Sequence, residues 1–533
     1  MGQSVSIYDT TLRDGCQGEG IALSLQDKLR IAQRLDDLGI HYIEGGWPNP
    51  TNPKDVAFFR HVGALNLKHA KVSAFGSTRR GGNRPETDPT LQTLLGAETT
   101  VVAIFGKSWD LHAEEILRVS LDENLEMIRS SVAYLAERGR EVVYDAEHFF
   151  DGYKHNPAYA LATLRAAQDG GAAWVVLCDT NGGTLPHELE QMIREVREHI
   201  AVPWGIHTHN DAGCAVANAA LAVHLGASQV QGTINGYGER CGNANLCSVI
   251  PNLVLKQGIP ALSREALTHL SSVSRFISEM VMEAPDERQP YVGNSAFAHK
   301  GGAHIDAVRK KTVSFEHVAP ELVGNERRIL VSEQSGTATI IEKLHTTYPH
   351  LDKRDPAVGR LLERLKHLEY EGYEFEAAEG SFHLLAEQIL RPRDPFFVLE
   401  NYRVLDGRHG AGDTYTEATI RVRVGDQVRH TAAEGTGPVD ALARALREAL
   451  VPFYPELEHI RLTDYKVRVL NGEAGASARV RVLIQTTDGH ESWGTVGVSE
   501  DILAASWEAL VDSLTFGLRR ARSREMASGG GPA

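Results

Sequence analysis

From residue 5 to about residue 257, short apolar runs rich in β-branched residues alternate with longer stretches whose apolar positions recur at helical spacing. That order is the pattern of parallel strands joined by crossover helices, and it repeats eight times. The predicted strands are Ser6–Thr11, Tyr42–Gly46, Lys71–Ser77, Thr100–Gly106, Glu141–Phe149, Trp174–Thr180, Pro203–Asn210 and Gln229–Tyr237. Leu25–Leu38, Glu114–Arg138 and Ala158–Asp169 read as helices, with Gly39, Gly139 and Gly170 where helices usually stop. Eight β/α units in about 250 residues match the size of a closed TIM barrel. An open doubly wound sheet would give the same periodicity, so closure is an inference from size. The expected fold is an α/β barrel over residues 1–260.

Residues 258–385 are more charged, mainly helical in pattern, and broken at Pro285, Pro290, Pro320, Pro349 and Pro356. Residues 261–385 are therefore expected to form a helical linker or accessory subdomain. The last third contains an internal repeat. Tyr402-Arg403-Val404 recurs as Tyr465-Lys466-Val467, and the strand Ala418–Val424 recurs at Ala478–Val482. A helix near Val439 recurs near Ile502. Two strand-and-helix units, each burying one face, predict a small α+β domain over residues 386–522. Residues 523–533, ending in Ser-Gly-Gly-Gly-Pro-Ala, are expected to be a disordered tail.

Charge narrows the partners. With 55 Lys+Arg against 70 Asp+Glu, the net charge is −15, which argues against nucleic-acid or anionic-membrane binding. The N-terminus has no basic and apolar leader, and no uncharged apolar run is long enough to span a bilayer, so a cytoplasmic location is expected. The five cysteines form no CxxC pair, which suggests neither a disulfide framework nor a thiolate zinc site.

In such a barrel, chemistry sits at the C-terminal ends of the strands. Strand one ends in Asp9-Thr10-Thr11-Leu12-Arg13-Asp14-Gly15, and strand seven in His207-Thr208-His209-Asn210-Asp211. Alternation puts both imidazoles on one face of the strand. Strand eight runs into Asn235–Asn243, and strands one, seven and eight are consecutive around a closed barrel. Two histidines, a carboxylate and an amide could thus converge on a divalent metal with positions left open. Taken alone, an HxH pair is as well explained by ordinary hydrogen bonding, and Arg13-Asp14 by a structural ion pair. Glu44, Asp145, Glu147, Asp179 and Thr180 lie at other strand ends. Several acids there are better explained by catalysis or ligand orientation than by packing.

Asp9–Gly15 followed by Gln17, then His207–Asp211, then Gly236–Asn245, resemble the three signatures of a family of acyltransferases. That family includes the 2-isopropylmalate, homocitrate and citramalate synthases and, more distantly, hydroxymethylglutaryl-CoA lyase. The resemblance spans nearly the whole chain. Tyr8–Gly20 with Tyr42–Pro48, Phe75–Arg80, Phe105–Leu111, Tyr144–Tyr153 and Ala296–His304 look most like the citramalate branch. It implies a Claisen condensation of acetyl-CoA with a 2-oxo acid, here pyruvate, then thioester hydrolysis to (R)-citramalate, a precursor of isoleucine. The same chemistry on a larger oxo acid, or a related acyl-CoA carbon–carbon lyase, is the alternative.

The resemblance further implies metal ligation by Asp14, His207 and His209, with Asn243 close by or ligating. An Asp and two His suit zinc, manganese or cobalt and tolerate magnesium. Arg13 would stabilise the enolate or alkoxide, Glu147 would act in acetyl-CoA activation, and Thr180 would hold the oxo acid's carboxylate. Gln17 and Glu44 are expected beside the substrate. His304, with its acidic neighbour Asp306, matches an accessory-domain histidine that reaches an active site, commonly the partner subunit's. Phe315 departs from the pattern, because many members carry a tyrosine there. The duplicated domain resembles the family's regulatory domain, which implies a homodimer with an amino-acid effector, isoleucine for this branch.

Overall fold

The computed structural model describes residues 4–332, 335–408, 414–470 and 478–527. Eight parallel strands close into a barrel in sequence order: β1 (Ser6–Asp9), β2 (Tyr42–Gly46), β3 (Lys71–Ser77), β4 (Val101–Lys107), β5 (Glu141–Glu147), β6 (Trp174–Asp179), β7 (Trp204–Thr208) and β8 (Gln229–Gly232). β1 pairs with β8 to complete the ring. Alternation along each strand divides the core in two. Ile7, Ile104, Tyr144, Leu177, Ile206 and Val230 point outward into the layer under the helices. Tyr8, Val101, Ala103, Val143, Val176 and Cys178 fill the barrel interior. Because parity is fixed, the inward series of β5 continues from Val143 to Asp145 and Glu147, and that of β7 reaches His207. The lower interior is apolar and the upper interior polar.

The first helix, Leu25–Leu38, starts on a capping box between Ser24 and Asp27 and stops at Gly39, which is left-handed at φ 88°. Pro157–Asp169 ends near the expected glycine, but the left-handed turn falls on Gly171 (φ 91°), while Gly170 stays helical. Glu114–Arg138 resolves into a π-turn, His112–Leu117, and a helix, Leu121–Ala136, separated by Arg118 at φ 57°. Strands one, five and eight are shorter than predicted for a common reason: the chain turns at the chemistry. The N–H groups of Arg13 and Gly15 both return to the Thr10 carbonyl at 3.1 Å. His148 takes φ 55° directly after Glu147, and Asn235 and Gly236 take φ 63° and 74° after β8.

Two compact units follow from the packing, Met1–Phe297 with Glu316–Arg327, and Ala298–Phe315 with Arg328–Ala533. The expected boundary at residue 260 is therefore revised. Helix Leu270–Val281 presents Leu270, Val273, Ile277 and Val281 to the barrel's own core and belongs with it. In the second unit, helices Gly302–Lys310, Thr337–Leu344, Pro356–Tyr370 and Glu379–Leu390 precede a duplicated βββα module. Strands Val398–Arg408, Thr414–Val424 and Gln427–Gly435 form one antiparallel sheet followed by helix Pro438–Leu450. Arg461–Val469, Val480–Thr487 and Ser492–Ser499 form the other, followed by Ile502–Ala527. Both copies carry a register shift at the same place, Leu399/Asn401 and Leu462/Asp464, so the duplication extends to the bulge. Residues 523–527, expected in a disordered tail, continue the last helix; the rest of that tail, 528–533, lies outside the described residues. Among the described residues no helix is long and apolar enough to cross a membrane.

Candidate active site at the barrel mouth

A cavity of about 560 Å³ opens at the C-terminal ends of the strands, lined by Arg13, Asp14, Gln17, Glu147, Thr180, His207 and His209 among others. Its floor is set by register. β7 pairs His207 with Gln231 of β8 and with Cys178 of β6, so residues on three neighbouring strands stand at one level.

Asp14, His207 and His209 are buried and offer ligand atoms all within 4.8 Å of one another. Asp14 Oδ2 is 3.2 Å from His207 Nε2 and 3.8 Å from His209 Nε2, and the two Nε2 atoms are 3.2 Å apart. Burial alone would raise the Asp14 carboxyl, but the Arg13 guanidinium and the two imidazoles outweigh it and hold the group well below the usual carboxylate range. Burial, then its neighbour His207, push His209 down to about 3, which leaves a neutral imidazole with a free lone pair. His207 is shifted the other way: burial disfavours its imidazolium, but Asp14 more than compensates. A site that draws a proton between Asp14 and His207 also draws a cation. Asn243 is bridged to His209, its Nδ2 donates to the Tyr237 carbonyl, and its Oδ1 is buried without a hydrogen-bond partner. Two neutral or neutralised nitrogens, one carboxylate and an orphaned amide oxygen are a donor set that fits a divalent metal ion.

Arg13 is held on three sides. Its guanidinium carbon lies 3.8 Å over the Phe75 ring, Nη1 is 3.3 Å from Asp14, and Nε donates to Glu44 Oε2 at 2.5 Å. Glu44 also accepts from the Tyr8 hydroxyl at 2.8 Å and is fully buried. Arg13 and Tyr8 thus engage both of its carboxylate oxygens, and Glu44 is not among the residues that line the cavity. Gln17 does line the cavity. Trp47, Phe75 and Phe105 form an aromatic wall, with ring centroids 5.5 to 6.0 Å apart.

Glu147 lines the cavity and is ion-paired with Lys107, the last residue of β4. The Thr180 hydroxyl oxygen accepts from the His148 N–H at 2.8 Å, and its carbonyl accepts from Arg240 at 2.7 Å. Arg79, just after β3, is buried against Glu123 and Ser130 of the helix Leu121–Ala136. His304 and Asp306 lie in the second unit on helix Gly302–Lys310. His304 stacks on Phe315 at 4.2 Å, and Asp306 pairs with Lys310 and Lys353. Sequence reading passed over Lys107 and Gln231. The signal was the inward parity of β4 and β8, which sends both into the barrel.

A closed β/α barrel with an acid and two imidazoles at neighbouring strand ends defines the class of this protein: a barrel enzyme with a candidate metal centre. Comparison narrows it. Residues 4–277 match the HMGL-like family, 291–372 the homocitrate synthase post-HMGL domain-like family, and 376–518 the LeuA allosteric (dimerisation) domain. An (R)-citramalate synthase of Geobacter sulfurreducens is 53% identical over 98% of this chain and 99% of its own. One of Aquifex aeolicus is 52% identical with the same coverage. A probable 2-isopropylmalate synthase of Methanopyrus kandleri is 31% identical over 98% of this chain and 100% of its own. The chain belongs to the HMGL-like family, among its (R)-citramalate synthases.

Proposed function

We propose that this chain condenses acetyl-CoA with pyruvate and hydrolyses the thioester, giving (R)-citramalate and CoA. The reading is carried by one observation: Arg13, Asp14, Glu147, Thr180, His207 and His209 line a single cavity. Full-length identity far higher to (R)-citramalate synthases than to a 2-isopropylmalate synthase supports pyruvate as the oxo acid.

Asp14, His207 and His209, with Asn243 beside them, would hold the divalent ion. When bound, it supplies Lewis-acid polarisation of the keto group and offsets alkoxide charge. The remaining work falls to the chain. The Thr180 oxygen already accepts from the His148 amide, so its own hydrogen is free to donate to the oxo acid's carboxylate. The Glu147 carboxylate, ion-paired with Lys107, takes a proton from the acetyl methyl group. Arg13, fixed by Glu44 and Phe75, presents its outer N–H groups to the negative oxygen that develops as the carbon–carbon bond forms. Hydrolysis needs a second proton acceptor, and His304 is assigned that step. His304→Ala then leaves citramalyl-CoA to accumulate, whereas Glu147→Gln stops before it.

The domain matched over 376–518 supports a homodimer and an amino-acid effector, which we assign as isoleucine. Incubation with acetyl-CoA and pyruvate tests the function. Citramalate of R configuration, identified by mass and chiral separation, is the expected product.

A further inference from the structure

The candidate metal centre has a second layer, Gln231 and Asp145, of which Asp145 also lines the cavity. His207 Nδ1 lies 2.9 Å from Gln231 Oε1, and Gln231 Nε2 lies 3.0 Å from Asp145 Oδ1. All three side chains are buried, with 5%, 0% and 4% of their surfaces exposed.

The order of atoms in this chain is dictated by chemistry. A primary amide can present either its oxygen or its nitrogen to a neighbour, and the choice is read from the network around it. A carboxyl oxygen that carries no hydrogen only accepts, and Asp145 Oδ1 accepts from Gln231 Nε2. Asp145 therefore takes the N–H₂ end of Gln231 and leaves the carbonyl end for His207. A carbonyl oxygen only accepts, so Nδ1 of His207 must carry the hydrogen. Nε2 is then the lone-pair atom, and it points at Asp14 and His209. The opposite amide orientation would give Nδ1 a donor, move the hydrogen to Nε2, and put an N–H where a metal has to bind. Strand register makes the arrangement possible: Gln231 is directly paired with His207 across β7 and β8, and Asp145 enters from β5, separated from β7 by β6.

We propose that Gln231 and Asp145 are positioning residues that fix His207 in its metal-ligating tautomer, Asp145 acting through the Gln231 amide. This rests on the reading of Asp14, His207 and His209 as a divalent-metal site. It adds the two residues that orient one of the ligands. Partners of this kind typically set metal affinity by about 10- to 100-fold.

The test is metal affinity of the full-length chain, without substrate, by competition for Zn²⁺ or Mn²⁺ against a chromophoric chelator. Gln231→Leu, which removes both hydrogen bonds at similar volume, is expected to weaken binding about 10- to 100-fold. Gln231→Glu restores an acceptor for Nδ1–H and should recover part of that loss. Asp145→Asn, whose amide can present either end, should fall between Gln231→Leu and the unaltered chain. Circular dichroism and melting of each variant separate loss of folding from loss of the ligand. Equal affinity in Gln231→Leu and the unaltered chain, both folded, overturns the tautomer assignment. A Gln231→Glu variant no better than Gln231→Leu also overturns it. Absence of metal binding by the unaltered chain overturns the metal centre together with the assignment. Failure of the chain to make citramalate, with the affinity order intact, overturns only the proposed function.

Discussion

Glu44 and Arg13 form a buried pair in which Nε donates to Oε2 at 2.5 Å, with the Tyr8 hydroxyl on the other carboxylate oxygen. Breaking such a pair from one side leaves a charge without its partner, which costs about 3–5 kcal/mol in comparable buried pairs. Here Asp14 still faces Arg13 at 3.3 Å, so the loss should sit at the low end. Glu44→Gln is expected to lower the melting temperature and to release the Arg13 side chain. Because displacement by about 1 Å can cost roughly 10²-fold, kcat should fall by about that factor with a smaller change in KM. Steady-state kinetics and a thermal melt check both parts. An unchanged kcat would mean that Arg13 is positioned without Glu44.

The aromatic wall predicts a change in substrate size. Phe105 is one ring of the Trp47, Phe75 and Phe105 group but does not carry the guanidinium, which lies over Phe75. Phe105→Ala should open space beside Arg13 and improve kcat/KM for 2-oxobutyrate relative to pyruvate. A single methylene in an apolar pocket is worth about 1–3 kcal/mol, a 10- to 200-fold shift at most. Paired kcat/KM measurements decide it, and an unchanged ratio would place the methyl group of the oxo acid elsewhere.

Asp9 predicts a pH dependence of stability. Burial raises its carboxyl to about 7, against the lowering effect of hydrogen bonds from the Thr11 amide and hydroxyl. The native state thus keeps a proton that the unfolded chain releases near pH 4. The associated stability is fully present below that value and is lost as pH rises through about 7. Asp9→Asn removes the titration, so urea midpoints between pH 4 and pH 8 should decline less in the variant than in the unaltered chain. Parallel declines would show that Asp9 is already ionised across the range.

Metal removal should affect stability as well as activity. A ligand that binds only the folded state stabilises it by about 2.7 kcal/mol at 100 times its dissociation constant. Chelation should therefore lower the melting temperature of the unaltered chain and leave that of His209→Ala nearly unmoved. Equal shifts in both would place the responsible ion at another site.

The barrel was legible because its strands and helices differ in period, and the two histidines because strand alternation sends 207 and 209 the same way. Legibility failed where backbone direction departs from the local pattern. β1 was read through Thr11, but Arg13 and Gly15 fold back on the Thr10 carbonyl, which brings Asp14 over the barrel. Glu44 reads as a strand-end acid, and nothing local reveals that Arg13 and Tyr8 occupy both its oxygens. Gln231 carries no motif at all; its role exists only through His207 and Asp145, each on a different strand. Helix Leu270–Val281 was set apart from the barrel by the charge and prolines around it, while its apolar face decides its packing.

The central claim is tested most directly by CoA release from acetyl-CoA with pyruvate, 2-oxobutyrate, 2-oxoisovalerate and 2-oxoglutarate in competition, using metal-replete chain alongside His209→Ala. The account predicts the highest kcat/KM with pyruvate, and loss of that activity on chelation and in His209→Ala. Fastest release with 2-oxoisovalerate or 2-oxoglutarate, or full activity in His209→Ala, would contradict it.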